Sequence, residues 1–211
     1  MKHVFFLDGQ EIPFTPGQNV LEAAIAAGKD QQIPYFCFHP ALGSLGACRQ
    51  CAVKMYAHDS KHPPRITMAC LLPASDGLQL VTLEDDVHTE HREIIELLMT
   101  NHPLDCPVCD EGGQCHLQDM TVQTGHSVRH YSGPKRTYRN QDLGPLVYQE
   151  MNRCITCYRC VRFYQDAAQG EDFGVFGSRN RVSFGRLEDG PLESPFSGNL
   201  VEVCPTGVFT D

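Results

Sequence analysis

Eleven cysteines stand in this 211-residue sequence, and their spacing divides them into three groups. The last group has Cys154, Cys157 and Cys160 at C-x2-C-x2-C spacing, with Cys204-Pro205 far downstream. Three thiols at this spacing with a remote Cys-Pro are the ligand pattern of an iron–sulfur cluster of the bacterial ferredoxin kind. Pairs of C-x2-C favour zinc, whereas a triplet completed by a distant Cys-Pro favours iron and sulfide.

Tyr164 limits this third group to one cluster. In two-cluster ferredoxins a fourth cysteine follows the third after three residues and serves the other cluster. Tyr164 stands at that place, so the run supports one cluster and Cys204 completes it. The predicted ligands of the third group are Cys154, Cys157, Cys160 and Cys204.

The first group has the spacing C-x10-C-x2-C-x18-C. The plant-type 2Fe–2S pattern has the same closing C-x2-C and a remote fourth cysteine, but a shorter first loop. Gly43, Gly46 and Ala47 lie in that loop, where small residues let backbone N–H groups approach cluster sulfides. A zinc site or a set of buried free thiols is the alternative to 2Fe–2S. The predicted ligands are Cys37, Cys48, Cys51 and Cys70.

The second group has only three cysteines, at C-x2-C-x5-C spacing, and needs a fourth donor. His102 precedes Cys106 by four residues and is the best candidate. His116 competes with it, but it is adjacent to Cys115, and neighbouring residues rarely reach one metal from the same turn. Structural zinc also suits three cysteines and one histidine, so zinc stays an alternative here. The predicted ligands are His102, Cys106, Cys109 and Cys115.

The donors count to twelve. His102 and the eleven cysteines make three complete sets of four, with no thiol left over. A catalytic metal site keeps an open coordination position, and complete sets leave none. Once every cysteine is assigned, no Ser/His/Asp or Cys/His nucleophile remains as a candidate. We therefore predict single-electron transfer and no substrate-converting site in this chain.

Composition and charge limit the classes of binding partner that we expect. The sequence is 41% hydrophobic and 20% charged, as expected of a folded globular protein. Residues 1–128 hold 7 Lys and Arg against 16 Asp and Glu, whereas residues 129–186 hold 10 against 5. We expect no nucleic-acid partner, because the net charge is −9 and the basic residues interleave with a metal motif.

The sequence also predicts where the protein works and what it does not bind. No run approaches about 18 apolar residues and no signal peptide is recognised, so we expect no membrane span and reduced, cytoplasmic thiols. Gly170, Gly174 and Gly177 have the wrong spacing for a dinucleotide-binding fingerprint, and no P-loop is present. We therefore expect this chain to bind neither flavin nor NAD.

Hydrophobic periodicity predicts an α+β fold in three parts. The first part is a hairpin, a helix and further strands, and the run Glu84-Asp85-Asp86 marks its end. The predicted domains are residues 1–84, 85–125 and 126–211. Strands are predicted at 3–7, 10–14, 51–57, 65–69, 78–83 and within 175–187. Helices are predicted at 20–27, 88–100, 115–124, 158–169 and 197–203, with an extended segment at 126–150.

These motifs, in this order, resemble the N-terminal region of the large iron–sulfur subunit of bacterial NADH:quinone oxidoreductase, respiratory complex I. The resemblance covers essentially the whole chain. It is carried by Gly46-Ala47-Cys48-Arg49-Gln50-Cys51, His102-Pro103-Leu104-Asp105-Cys106-Pro107-Val108-Cys109, Glu111-Gly112-Gly113, Asn152-Arg153-Cys154 through Val161-Arg162, and Glu202-Val203-Cys204-Pro205-Thr206-Gly207. It implies a ferredoxin-like β-grasp domain with one 2Fe–2S cluster, then a His/Cys-ligated 4Fe–4S domain and a ferredoxin-like 4Fe–4S domain.

The resemblance also implies partners and a place in the cell. In that family these clusters relay electrons from a flavin- and NADH-binding subunit toward quinone-facing subunits. We therefore expect the protein to be cytoplasmic and peripheral to the inner face of the plasma membrane, through its partner subunits. The family subunit continues into a molybdopterin-oxidoreductase-like domain, so we expect this chain to be a fragment or a short homologue.

Two other classes of function stay open. Iron-only hydrogenases and the diaphorase-type subunits of NAD-linked hydrogenases or formate dehydrogenases share the front part of this arrangement. They tend to carry a full two-cluster module, which Tyr164 disfavours, and the diaphorase-type subunits are the second hypothesis. A zinc-stabilised interaction module without redox function is the third.

Overall fold

A computed structural model describes residues 3–56 and 63–211 of the protein. They fall into two units, Met1–Ile94 and Ile95–Asp211. The three predicted domains stay a prediction. Among the described residues, no helix has the length and apolar character needed to cross a membrane.

The first unit is built on a five-stranded mixed sheet. All five strands predicted for it are present, although residue 57, the last of the strand predicted at 51–57, lies outside the described residues. The strands are β1 (Val4–Leu7), β2 (Gln10–Pro13), β3 (Ala52–Tyr56), β4 (Arg65–Met68) and β5 (Gln79–Val81). Their order in the sheet is β2-β1-β5-β3-β4, in which β1 and β5 are parallel and the other neighbours are antiparallel. The predicted turn between β1 and β2 is confirmed, with Asp8 and Gly9 both at positive φ.

The first helix, α1 (Val20–Ala26), forms where the sequence predicts it. The Asn19 side chain accepts from the Glu22 backbone N–H, and the Glu22 carboxylate accepts from the Asn19 backbone N–H. This reciprocal capping satisfies two backbone donors that a helix start leaves open. Buried residues of α1 pack against buried residues of β1 and β3, which gives the first unit its own core.

The second helix, α2 (Asp85–Met99), starts earlier than the predicted start at residue 88. Asp85 and Asp86 lie in its first turn, where the helix dipole favours negative charge. The acidic run that the sequence marks as a boundary therefore forms the helix start. His91 of this helix is buried, and its Nε2 lies 3.0 Å from the Ala52 carbonyl oxygen.

The second unit is made of short elements joined by long loops. Its α-helices are α3 (His116–Gln123), α4 (Arg159–Arg162) and α5 (Leu200–Val203). The helix predicted at 158–169 is present as α4, but it widens into a π-helix at Phe163–Ala167. Between Gln123 and Tyr148, in a fully described stretch, there is no helix or strand, as the extended-segment prediction requires.

Two small antiparallel sheets complete the second unit. β6 (Tyr148–Gln149) pairs with β9 (Phe209–Thr210), and the sequence predicts neither strand. A two-residue strand is too short to show a period in the sequence. β7 (Phe173–Phe176) pairs with β8 (Ser183–Arg186), in the region where strands are predicted.

Aromatic side chains form much of the core of this unit. Tyr164, Phe173 and Phe209 are buried, and Phe173 contacts both of the other rings at centroid distances of 5.3 and 5.9 Å. The same core includes Cys160 and packs against Cys154 and Cys204. The third cysteine group is therefore part of the hydrophobic core.

Candidate iron–sulfur sites

The structure brings the four cysteines of the first group together within the first unit. Cys37, Cys51 and Cys70 are buried, and Cys48 is half-buried. The Cys48 sulfur accepts from the backbone N–H groups of Phe36 and Cys37, at 3.5 and 3.4 Å. The four thiols of the first group hydrogen-bond to one another in the pairs Cys37–Cys48, Cys37–Cys70 and Cys51–Cys70.

The hydrogen bonds between these thiols determine which of them can be ionised at the same time. Hydrogen bonds from Cys48 and Cys70 lower the pKa of the Cys37 thiol, and the reverse contacts raise the pKa of Cys48 and Cys70. A hydrogen bond from Cys70 likewise lowers the pKa of Cys51. Two adjacent thiolates repel each other, so each thiolate keeps a protonated neighbour. Bound iron would supply the positive charge that lets all four thiols ionise, as in other metal-thiolate sites.

Gln50 lies between two predicted ligands of the first set, Cys48 and Cys51, and is fully buried. Neither its amide nitrogen nor its amide oxygen has a hydrogen-bond partner among the described residues. Leaving a buried amide unpaired costs about 1–3 kcal/mol, so such groups are rare unless a further partner satisfies them. Cluster sulfides and thiolates accept hydrogen bonds, so the Gln50 N–H groups fit a bound cluster.

The second set surrounds a cavity of about 260 Å³. All four predicted donors line it, and His116 does not. Apolar side chains, including Met99, Leu104 and Leu117, form much of the remaining wall. The four predicted donors that line this cavity are His102, Cys106, Cys109 and Cys115.

The His102 ring has the properties of a metal ligand. Burial lowers its pKa to about 4, which keeps the imidazole neutral at neutral pH. The ring bonds to the backbone of Arg153, while its Nδ1 is buried with no hydrogen-bond partner in residues 3–56 and 63–211. A ligating histidine commonly donates its other ring N–H to a backbone carbonyl, which fixes the tautomer. The free Nδ1 lone pair therefore suits a metal.

Two helix ends and a glycine loop position this second set. His102 follows α2, and its backbone N–H donates to the Leu98 carbonyl at 3.1 Å. Cys115 is the residue before α3, and burial raises its thiol pKa. Gly112 lies in the loop between them, where an added Cβ would be 2.5 Å from the Cys106 carbonyl oxygen. Only glycine allows the chain to turn this tightly around the cavity.

The third set encloses a much smaller cavity of about 10 Å³, lined by all four of its cysteines. Burial raises the pKa of Cys154 and Cys160 well above the ordinary thiol value, and also raises that of Cys204. Thr156 and Tyr158, which alternate with the ligands, have φ angles of +55° and +63°. These left-handed residues coil the loop so that the three thiols of the run face one space.

Tyr164 stands where two-cluster ferredoxins have the fourth cysteine of the run. It is fully buried, and its hydroxyl donates to Asp172 at 2.6 Å and accepts from the Ser194 backbone N–H at 3.1 Å. Counting back from Cys204 with ferredoxin spacing gives three further non-cysteine residues, all buried: Ser194, Ser197 and Leu200. None of the four positions that a second cluster would need carries a thiol.

An ion pair that the sequence did not reveal joins the loops of the second and third sets. Arg153 Nε and Nη2 donate to Asp105 Oδ2 at 3.2 and 3.0 Å. Arg153 Nη1 also donates to the Gly207 carbonyl at 3.1 Å. Asp105 and Arg153 each precede a predicted ligand directly, which was the available signal, but nothing in the spacing pairs them.

Three family models match successive parts of the chain. A 2Fe-2S iron-sulfur cluster binding domain matches residues 4–85. The NADH-ubiquinone oxidoreductase-G iron-sulfur binding region matches residues 91–130. The ferredoxin-like domain of NADH-quinone oxidoreductase subunit 3 matches residues 144–210. The chain therefore combines 2Fe–2S and 4Fe–4S types of domain in a mixed α/β fold.

Whole-chain comparisons agree with these matches. The G subunit of NADH-quinone oxidoreductase from Escherichia coli K12 is 61% identical over 206 residues, which are 97% of this chain and 22% of that protein. The same protein from Pseudomonas fluorescens is 59% identical over 205 residues, with the same two shares. This chain thus spans 22% of the length of the curated relatives it matches.

A solved structure has the same fold along nearly the whole chain. A chain of an NAD+-reducing NiFe-hydrogenase in the H2-reduced state superposes with a TM-score of 0.87 and 32% identity. The match covers 99% of this chain and 86% of that one. The resemblance predicted from the cysteine motifs is confirmed by the higher identity to the NADH-quinone oxidoreductase relatives. The chain is therefore homologous, over 97% of its length, to a part of the G subunit of NADH-quinone oxidoreductase.

Proposed function

We propose that this chain holds one 2Fe–2S and two 4Fe–4S clusters and relays single electrons within respiratory complex I. One observation supports this proposal: the predicted donors of the second and third groups each line a single cavity, and the thiols of the first group hydrogen-bond to one another. Clusters held by complete sets of sulfur and imidazole donors exchange electrons without binding a substrate. The relay leads from a flavin- and NADH-binding partner toward quinone-side subunits.

The same proposal assigns the cluster types to three domains. The 2Fe–2S cluster belongs to a β-grasp, ferredoxin-like domain at 1–84, which the central parallel β1–β5 pair and the family match at 4–85 support. The His/Cys-ligated 4Fe–4S cluster belongs to 85–125 and the all-cysteine 4Fe–4S cluster to 126–211. The protein lies in the cytoplasm, at the inner face of the plasma membrane, through its partner subunits.

Electron paramagnetic resonance of the anaerobically purified, dithionite-reduced protein tests the proposal. We expect one 2Fe–2S and two 4Fe–4S signals, a brown colour, and about ten iron and about ten sulfide per chain. A colourless protein with about three zinc ions per chain would instead establish the zinc-stabilised interaction module. Flavin and NAD should be absent from the purified chain.

A diaphorase-type subunit of an NAD-linked hydrogenase is the second candidate, because the hydrogenase chain covers nearly all of this one. The higher identity to the NADH-quinone oxidoreductase relatives favours complex I. Pull-down with the isolated chain from a membrane extract distinguishes them. Recovery of NADH:quinone oxidoreductase subunits supports the first function, and recovery of a hydrogenase supports the second.

A further inference from the structure

We propose that the segment Thr206-Gly207 is the electron-transfer contact between the second and third sites, and that glycine at 207 sets their separation. This inference rests on the proposed function, because it requires a cluster at both sites. All residues concerned lie in the second unit. The segment follows the ligand Cys204 and Pro205 directly in the sequence.

Thr206 lines the cavities of both the second and the third site. At this residue the two sites are therefore separated by the Thr206-Gly207 segment. Its Oγ1 lies 3.7 Å from the Cys204 sulfur, on the side of the third set. The same hydroxyl donates to the Arg153 carbonyl at 3.2 Å, which fixes its rotamer. Thr206 therefore contacts a ligand of the third set and forms part of the wall of the second.

Gly207 faces the second set at very short range. A Cβ added there would be 2.5 Å from the Cys109 sulfur, closer than real Cβ contacts come. The neighbouring Glu111 Cγ and Arg153 Nη1 would be 3.4 and 3.5 Å away, so a methyl group also has little room to turn aside. With the Cys109 sulfur held by a cluster it could not turn aside, so a side chain at 207 would push the two ligand loops apart.

The Arg153–Asp105 ion pair holds this contact closed. Arg153 donates to the Gly207 carbonyl and, through its other nitrogens, to Asp105 beside the ligand Cys106. The Arg153 side chain is 9% exposed, so solvent screens the pair weakly. The transfer moves one electron and no atom: one site is oxidised by one electron, the other is reduced by one, and no bond forms or breaks.

Gly207→Ala tests the proposal, with Gly198→Ala as the matched control. A Cβ at Gly198 would meet only the Leu146 Cβ, at an ordinary 3.8 Å. The readout is the magnetic dipolar interaction between the two reduced 4Fe–4S clusters, measured by pulsed electron paramagnetic resonance on the protein carrying its clusters. This interaction falls with the cube of the separation and does not depend on enzymatic activity.

We expect a weaker interaction in Gly207→Ala and an unchanged one in Gly198→Ala. If Gly207→Ala does not load both clusters, Asp105→Asn replaces it, because it weakens the clamp without adding volume and should lower the interaction less. Loaded variants with the wild-type interaction overturn the inference and leave the proposed function intact. Absence of two 4Fe–4S signals from the wild-type protein refutes the proposed function itself.

Discussion

The second and third sites hold equal numbers of donors but are built in different ways. The second surrounds a cavity of about 260 Å³ between two helix ends and a glycine loop, with Cys106 and Cys109 half-buried. The third has a cavity of about 10 Å³ and lies within an aromatic core that includes Cys160. The core packing positions the third site, whereas the second depends on its loop and on what fills it.

Removing the clusters should show this difference most strongly. Without iron, the third-site thiols can stay neutral in the core, because burial raises the pKa of Cys154 and Cys160. The second site would be left with an open cavity of about 260 Å³. Because a cluster's binding energy adds to folding energy, we expect residues 104–123 to lose protection first. Their amides should exchange at least about tenfold faster, or ~1.4 kcal/mol of opening energy.

Hydrogen exchange with mass spectrometry measures this effect on the protein before and after anaerobic chelation of iron. Peptides around Tyr164 and Phe173 serve as the internal control, since those residues form the buried core. Equal loss of protection in both regions would contradict the comparison, because the third site would then depend on its cluster as much as the second.

Gly112→Ala should empty the second site and spare the third. The added Cβ would lie 2.5 Å from the Cys106 carbonyl oxygen and 2.9 Å from that of Cys109, and backbone atoms cannot move aside cheaply. We expect the loss of about four of ten iron atoms and of one 4Fe–4S signal. Iron analysis and electron paramagnetic resonance measure the result.

Gly198→Ala is again the control, since its methyl group meets only an ordinary contact. Full loading of Gly112→Ala would show that the loop can open without releasing the cluster. That outcome would show that the tight turn at Gly112 is not needed to position the second site.

The contrast between the sites also shows what the sequence could predict. Most of the third set is a local run, so its spacing alone predicts Cys154, Cys157 and Cys160 as ligands. His102 was predicted by counting donors, and its buried Nδ1, which has no hydrogen-bond partner among the described residues, is compatible with that prediction. Most helices and strands were predicted at nearly their observed places because they have clear periodicity.

Contacts between distant residues could not be predicted in the same way. The Arg153–Asp105 pair and the close approach of Gly207 to Cys109 join residues that are far apart in the sequence. Such contacts depend on how loops pack, and packing leaves no spacing pattern. The β6–β9 pair was missed for the same reason, since each strand has two residues.

His102→Cys should keep the second cluster and lower its reduction potential. A thiolate carries one more negative charge than a neutral imidazole, which disfavours the reduced cluster. Two histidines in place of two cysteines raise the potential of a 2Fe–2S centre from about −400 mV to about −150 mV or higher, so for one ligand of a 4Fe–4S cluster we expect a shift of roughly 100 mV, about 2.3 kcal/mol per electron. A redox titration followed by electron paramagnetic resonance measures it.

The control is His130→Cys, because the His130 side chain is 82% exposed. It should leave all three potentials unchanged. An unchanged potential in His102→Cys would remove His102 from the ligands of the second site. The third site, which contains only cysteines, should keep its potential in both variants.

The most local effect concerns Tyr164, which is packed in the core at a position that a second cluster would need. Burial, together with the hydrogen bond to Asp172, raises the pKa of Tyr164 to about 12. Since its ordinary value is 10, the folded state keeps the proton that the unfolded state loses. This group's contribution to stability is therefore complete below pH 10 and is lost as the pH rises through about 12.

Tyr164→Phe should lower stability by about 1–3 kcal/mol at pH 8, because Asp172 and the Ser194 N–H lose their partner. At pH 11 the gap between the variant and the wild type should narrow, since only the wild type has a buried phenol to ionise. Thermal unfolding followed by circular dichroism at both pH values measures the gap, with the exposed Tyr148→Phe as control. A gap that stays constant from pH 8 to 11 would show that burial and Asp172 do not hold the pKa of Tyr164 above its ordinary value.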